Sequence, residues 1–191
     1  MPTVPDLVRW TLTLHAVLLA AVRAVYAWRA RAAGSRRPHP EGASAVPVVL
    51  GVVWGYGAVV ASWWAPDAWL PTFATFLPGL YATGLLVLGA QAVLLVRAHA
   101  ALGPAWSGWL ALARDHRLVT HGAYATARHP MYGSALLWPL GTTLVAPVPL
   151  FAPLWLLALG VVLRVRREER MLEQAFGDEW RQYAARTRRF F

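Results

Sequence analysis

"GSALLWPLGTTLVAPVPLFAPLWLLALGVVLRV" runs from Gly133 to Val165 and decides the fold. A helix needs about 20 apolar residues to cross the hydrocarbon core of a bilayer, and this stretch exceeds one crossing. Its middle, "APVP" from Ala146 to Pro149, accounts for the excess. Pro147 and Pro149 carry no amide hydrogen, and each pushes the residue before it out of helical geometry. The stretch therefore predicts a helical hairpin with two short arms and the prolines at its turn.

Upstream, three more apolar runs of crossing length extend over Trp10 to Trp28, Val46 to Ala65 and Leu70 to Val96. With the hairpin they predict an all-α polytopic membrane protein of about five transmembrane helices, the last two Pro-turned. Composition agrees, because hydrophobic residues make up 58% of the chain and charged residues only 14%, a balance displaced from that of soluble domains. There are no cysteines, which excludes disulfides, thiolate metal sites and a cysteine nucleophile. The chain divides at its polar middle into residues 1–101, holding three spans, and residues 102–191, holding the hairpin and a charged tail.

The 18 basic residues are all arginine, and their positions separate a nucleic-acid face from membrane topology. With the amino terminus outside, the interior segments are 29–45, 97–132 and 164–191, and they hold 16 of the 18. That asymmetry is the positive-inside pattern and accounts for the net charge of +9 without any nucleic acid. The sequence thus predicts an integral protein of the cell's inner (plasma) membrane with a cytoplasmic carboxyl terminus. A cleaved signal peptide is disfavoured because the positive charge follows the first apolar run rather than preceding it. Inside that run, Arg23 reads as a side chain snorkelling to the inner interface, and His15 as a satisfied neutral ring.

The tail from Glu168 to Tyr183 carries Leu172, Phe176, Trp180 and Tyr183 on one stripe of an otherwise charged helix, a face that needs covering. Gly177 and Asp178 are suited to end one helix and begin the next.

Three polar clusters share the predicted inner side: "RAHAALGPAWS" from Arg97, "ARDHRLVTHGAYATARHPMY" from Ala113, and "RVRREER" from Arg164. A hairpin makes neighbours of Tyr132, at the start of one arm, and Arg164, at the end of the other. Such a pocket offers histidine, tyrosine, arginine and the paired Glu168 and Glu169, with Gly103, Gly122 and Gly133 allowing close backbone approach. Arginine forks match carboxylate or phosphate, carboxylates accept from ammonium or ribose hydroxyls, and aromatic rings cover a base or face a cation. S-adenosylmethionine fits this set, and so do other anionic cofactors. Zinc does not, because His116, His121 and His129 are five and eight residues apart, spacings that match no common site. Glu168 also stands four residues from Arg164, where a simple helical ion pair would form.

"LVTHGAYATARHPMYGSALL", an apolar hairpin and "RVRREERMLEQAFGDEWRQYAARTRRF" together resemble the isoprenylcysteine carboxyl methyltransferase family of integral-membrane enzymes, related to the phospholipid N-methyltransferases. The resemblance covers Leu102 to Phe191 and rests on the order of motifs. It implies a helical fold whose carboxyl-terminal half encloses S-adenosylmethionine, with a lipid-facing entrance for a lipophilic or lipidated acceptor. The cofactor contacts it implies fall on His116, Leu118, Val119, Gly122, Tyr124, Arg128, His129, Pro130, Tyr132 and Glu169. Arg164 is expected to orient an anionic acceptor, and Glu168 to orient Arg164; no metal is expected. Ala123 stands where the family commonly has proline, and Trp180 where tyrosine is usual. Two other readings compete, an NADPH-dependent membrane lipid or sterol reductase and a non-enzymatic membrane scaffold. The sequence selects neither the acceptor nor an oligomeric state.

Overall fold

A computed structural model describes residues 3–32, 45–67, 70, 77–103 and 118–191. Six α-helices account for most of them: α1 (Val4–Ala32), α2 (Ala45–Ala61), α3 (Pro78–Leu102), α4 (Pro130–Val145), α5 (Leu156–Phe176) and α6 (Asp178–Arg186). Two 3-10 turns, Gly122–Ala125 and Pro149–Trp155, lead into α4 and α5. Among the described residues there is no strand, only one isolated parallel bridge between Ala127 and Arg188.

Three helical segments, Val4–Ala32, Pro78–Leu102 and Pro149–Phe176, are long and apolar enough to cross a membrane, while α2 and α4 are shorter, at 17 and 16 residues. The third span begins eight residues later than the apolar run suggested, at Pro78 rather than Leu70. Proline fits the first turn of a helix, where its missing amide has no partner to lose. It also holds Leu77 in an extended conformation (φ −108°, ψ 98°), so the helix cannot extend upstream. Hydropathy alone does not register that stop.

The first helix opens on a reciprocal cap. The Thr3 amide donates to Asp6 Oδ2 (3.0 Å) and the Asp6 amide to Thr3 Oγ1 (3.3 Å), which satisfies two otherwise orphaned donors. Arg9 ties this end to the end of α2, donating to the carbonyls of Ser62 (2.8 Å) and Ala65 (2.9 Å) and pairing with Asp67 (2.8 Å).

Small residues set the helix packing, because without a hydrophobic drive between lipid-embedded helices close van der Waals approach must hold them. On α3 and α4, a Cβ at Gly84 would lie 2.8 Å from the Val145 amide nitrogen, and one at Gly141 2.6 Å from Leu88. The same antiparallel pair is joined by Gln91 Nε2 donating to Ser134 Oγ (2.9 Å) and Ser134 Oγ to the Gln91 carbonyl (3.2 Å). α2 and α5 meet in the same way, with Gly51 against Leu157 and Gly160 against Val48. Between these two pairs, α1 presents Val8, Leu12, Ala16 and Leu19 to the core.

Candidate functional site

His129 is the residue before α4, and Pro130 begins the helix. The amides of Arg128 and His129 are taken up by the carboxyl-terminal residues, donating to the carbonyls of Arg188 (2.8 Å) and Arg189 (3.0 Å). The histidine ring is fully buried and stacks obliquely between Tyr132 (5.7 Å) and Phe190 (6.3 Å).

Folding α5 back along α4 brings Arg164, Glu168 and Glu169 to this corner. The Tyr132 hydroxyl stands between the first two, accepting from Arg164 Nε (3.3 Å) and donating to Glu168 Oε2 (2.6 Å). Glu169 faces the other way. Arg189 grips it with two hydrogen bonds (3.1 and 2.7 Å), His129 Nε2 lies 3.2 Å from Oε1, and Arg128 Nε lies 3.5 Å from the same oxygen. The adjacent acids therefore have different surroundings: Glu168 meets a tyrosine in the interior, and Glu169 joins three basic side chains behind it.

Gly177 closes α5 with φ +52°, a left-handed conformation that suits glycine, and redirects the chain into α6. That turn brings Trp180 and Tyr183 inward, both buried, with their rings 5.7 Å apart. The Tyr183 hydroxyl donates to the Tyr124 carbonyl (2.7 Å), and Arg128 Nη1 donates to the Ala184 carbonyl (2.8 Å). Burial pushes the Tyr183 phenol up to about 12. Burial, followed by the Glu168 charge, also holds the Tyr124 phenol above its ordinary value. Both phenols thus remain neutral donors throughout the physiological range.

These elements enclose a cavity of about 470 Å³. It is lined by Tyr124, Arg128, His129, Tyr132, Arg164 and Glu168, with Leu118, Val119 and Trp180; further lining comes from Val48, Val52, Leu157 and Val161 of α2 and α5, Leu19 and Ala27 of α1, and Leu95 of α3. Of the residues singled out from the sequence, Gly122, Pro130 and Glu169 do not line it. Gly122 turns the chain at φ +62° against Ala101, Pro130 starts α4, and Glu169 acts from behind His129 and Arg128. His116 lies outside the described residues.

Sequence reading missed four polar cavity residues, Arg23, Tyr56, Gln91 and Ser134. For Arg23 a signal existed. It continues the Leu12, Ala16, Leu19 stripe of α1 at a further step of four, and so shares their inward face.

Residues 82–174, just under half of the chain, match the family model described as "Isoprenylcysteine carboxyl methyltransferase (ICMT) family". The protein-S-isoprenylcysteine O-methyltransferase of Tribolium castaneum is 41% identical over 71 residues, covering 36% of this chain and 25% of the relative. Protein-S-isoprenylcysteine O-methyltransferase B of Arabidopsis thaliana is 37% identical over 78 residues, covering 38% of each. A longer match, 38% identical over 112 residues, joins 56% of this chain to 49% of the cobalt-zinc-cadmium resistance protein CzcN of Cupriavidus metallidurans. The chain spans less than half the length of each of these curated relatives.

Proposed function

We propose that the chain, whose residues 82–174 match the isoprenylcysteine carboxyl methyltransferase family model, is an integral-membrane enzyme moving a methyl group from S-adenosylmethionine to a lipophilic acceptor. One observation carries the reading: Arg128, His129, Tyr132, Arg164 and Glu168 of the matched segment line one cavity together with apolar residues of α2 and α5, Val48, Val52, Leu157 and Val161. Such a cavity suits a polar cofactor meeting a greasy acceptor. A volume of about 470 Å³ falls within the roughly 300–1,000 Å³ of cofactor-sized pockets. The donor set also fits the cofactor. Arg128 and His129 suit its carboxylate, Glu168 suits an ammonium or hydroxyl, and Tyr124, Trp180 and Tyr183 supply rings for a base.

Bound S-adenosylmethionine supplies an electrophilic methyl carbon. Leu118, Val119, Tyr124, Arg128, His129 and Tyr132 hold it, Gly122 and Pro130 shape the backbone around it, and Glu169 fixes His129 and Arg128. Arg164 aligns the acceptor, and Tyr132 links Arg164 to Glu168 so that their rotamers are set together. The apolar walls exclude water, leaving the acceptor's nucleophilic oxygen or nitrogen poorly solvated. Alignment of two reactants supplies up to roughly 7–11 kcal/mol of the barrier, and no metal is required. Arg164 accelerates the reaction only through contacts that strengthen toward the transition state.

In this reading α2 and α4 complete a five-crossing protein, with the α4–α5 pair as its proline-turned hairpin, the amino terminus outside and α6 in the cytoplasm. Residues 1–101 form the acceptor side and residues 102–191 the cofactor side. A carboxylate, an amine and an isoprenylcysteine-like group are the acceptor classes to test.

Calorimetry on the purified chain separates the readings: S-adenosylhomocysteine binds and NADPH does not. The opposite result overturns the proposal. Arg164→Ala is expected to lower turnover at least about 100-fold, the scale of losing a charge-assisted contact in a dry site, with S-adenosylhomocysteine affinity within about threefold of wild type. Turnover at the wild-type rate removes Arg164 from the mechanism.

A further inference from the structure

One face of α5 changes character along its length. From Leu159 through Val162 to Leu163 it is apolar and exposed, suited to contact with acyl chains. Continued by helical steps of three and four, the same stripe carries Arg166 and Arg170, both exposed. From the opposite face of these turns, Arg164 and Glu168 line the cavity.

The change falls where the headgroups of a bilayer begin. The 3-10 turn of seven residues from Pro149 and the first turns of α5 to Leu163 rise about 26 Å together, against a hydrocarbon core of about 30 Å. Arg166 and Arg170 thus stand at the level of the lipid phosphates. Neither has a carboxylate partner among the described residues. Glu169, three residues beyond Arg166, meets Arg128, His129 and Arg189, and Glu173, three beyond Arg170, meets Arg181. Side chains four apart on a helix are neighbours, about 5–6 Å between their Cβ atoms, and like charges there repel. An anion between them removes that cost, and two guanidinium forks can share the oxygens of one phosphate.

We infer that Arg166 and Arg170 form a binding site for one anionic phospholipid: the two guanidiniums clasp its phosphate, and an acyl chain lies along Leu163, Val162 and Leu159. A zwitterionic lipid suits the site less, because its cationic headgroup would stand beside two arginines. The inference rests on the Pro149–Phe176 segment as a membrane span and is independent of the reaction in the cavity.

The test needs no turnover. Native mass spectrometry of the purified, delipidated full chain in neutral detergent measures binding of dioleoylphosphatidylglycerol and dioleoylphosphatidylcholine, probes that differ only in the headgroup. The first phosphatidylglycerol is expected to bind about tenfold more tightly than the first phosphatidylcholine, since each arginine near an anionic headgroup is worth about a factor of five before the discount for exposure. The Arg166→Gln, Arg170→Gln double variant loses most of that preference. The Arg166→Lys, Arg170→Lys variant keeps part of it, because lysine supplies the charge without the fork. Arg181→Gln removes an arginine that is already paired on α6 and leaves the preference unchanged, which separates a site from a general effect of net charge. A preference that survives the double Gln variant overturns the inference, and so does one that Arg181→Gln diminishes equally. Equal binding of the two lipids by the wild type overturns it whether or not the double variant folds.

Discussion

Glu169 illustrates how adjacent identical residues come to differ. Its carboxylate is only 16% exposed and meets Arg128, His129 and Arg189, so its removal strands basic groups in the interior while Arg189, half in solvent, can rehydrate. Glu169→Ala is therefore expected to cost about 1.5–3 kcal/mol, the range for charged hydrogen bonds, and Arg189→Ala less than about 1 kcal/mol, as for exposed pairs. Thermal unfolding in detergent measures both. Because His129 lines the cavity and Glu169 orients it, Glu169→Ala is also expected to weaken S-adenosylhomocysteine binding, with Glu169→Gln intermediate since it retains an acceptor for the ring. Arg188 provides the contrast. Its carbonyl, not its side chain, accepts from the Arg128 amide, so Arg188→Ala is expected to stay within about 0.5 kcal/mol of wild type. If Arg189→Ala proved as damaging as Glu169→Ala, the carboxylate would not be the centre of this cluster.

At the scale of elements, glycines on two packed helices have opposite functions. Gly160 packs on the α2 backbone, where a Cβ would lie 2.8 Å from the Val48 amide nitrogen, whereas Gly57 in α2 has nothing within 4 Å. Gly160→Ala forces two helices apart and is expected to destabilise by about 1–3 kcal/mol. Gly57→Ala removes backbone freedom from the unfolded chain and is expected to stabilise by about 0.5–1 kcal/mol. Parallel melting curves decide between them, and equal shifts would refute the packing account. The two glycines are indistinguishable in the sequence, which marks the boundary of what could be read there. Helices were legible because a bilayer demands long apolar runs. The Tyr132–Arg164 contact was legible because a short turn folds one polar run back on another. The Pro78 start was obscured because hydropathy ignores the missing amide. The pairing of Arg188 and Arg189 with the segment before Pro130 was not legible, since sixty residues separate partners joined through backbone atoms that carry no sequence signal. Arg23 was legible in principle, through its register with Leu19 rather than through its depth in the span.

Across the whole molecule, the proposed orientation rests on charge distribution. If the amino terminus is outside, Arg9 is the arginine at that surface, and it is neutralised by Asp67 at 2.8 Å and approached by Asp6 at 3.6 Å. The arginine excess then gathers at the opposite end, around α6 and the last turns of α5, where the positive-inside rule places it in the cytoplasm. In the proposed orientation the cavity residues Arg128, His129 and Glu168 lie toward that side. The cysteine-free chain makes this directly measurable by single substitutions. Trp64, 79% exposed beyond the end of α2, and Glu179, exposed on α6, mark the two ends. Trp64→Cys is expected to react with a membrane-impermeant maleimide in intact cells, and Glu179→Cys only after lysis. Reversed labelling would overturn the orientation but leave the cavity's chemistry intact, and would require the cofactor to enter from outside the cell. Labelling of both from one side would mean that an odd number of crossings does not separate them, and that α4, the shorter of the helices between them, fails to span.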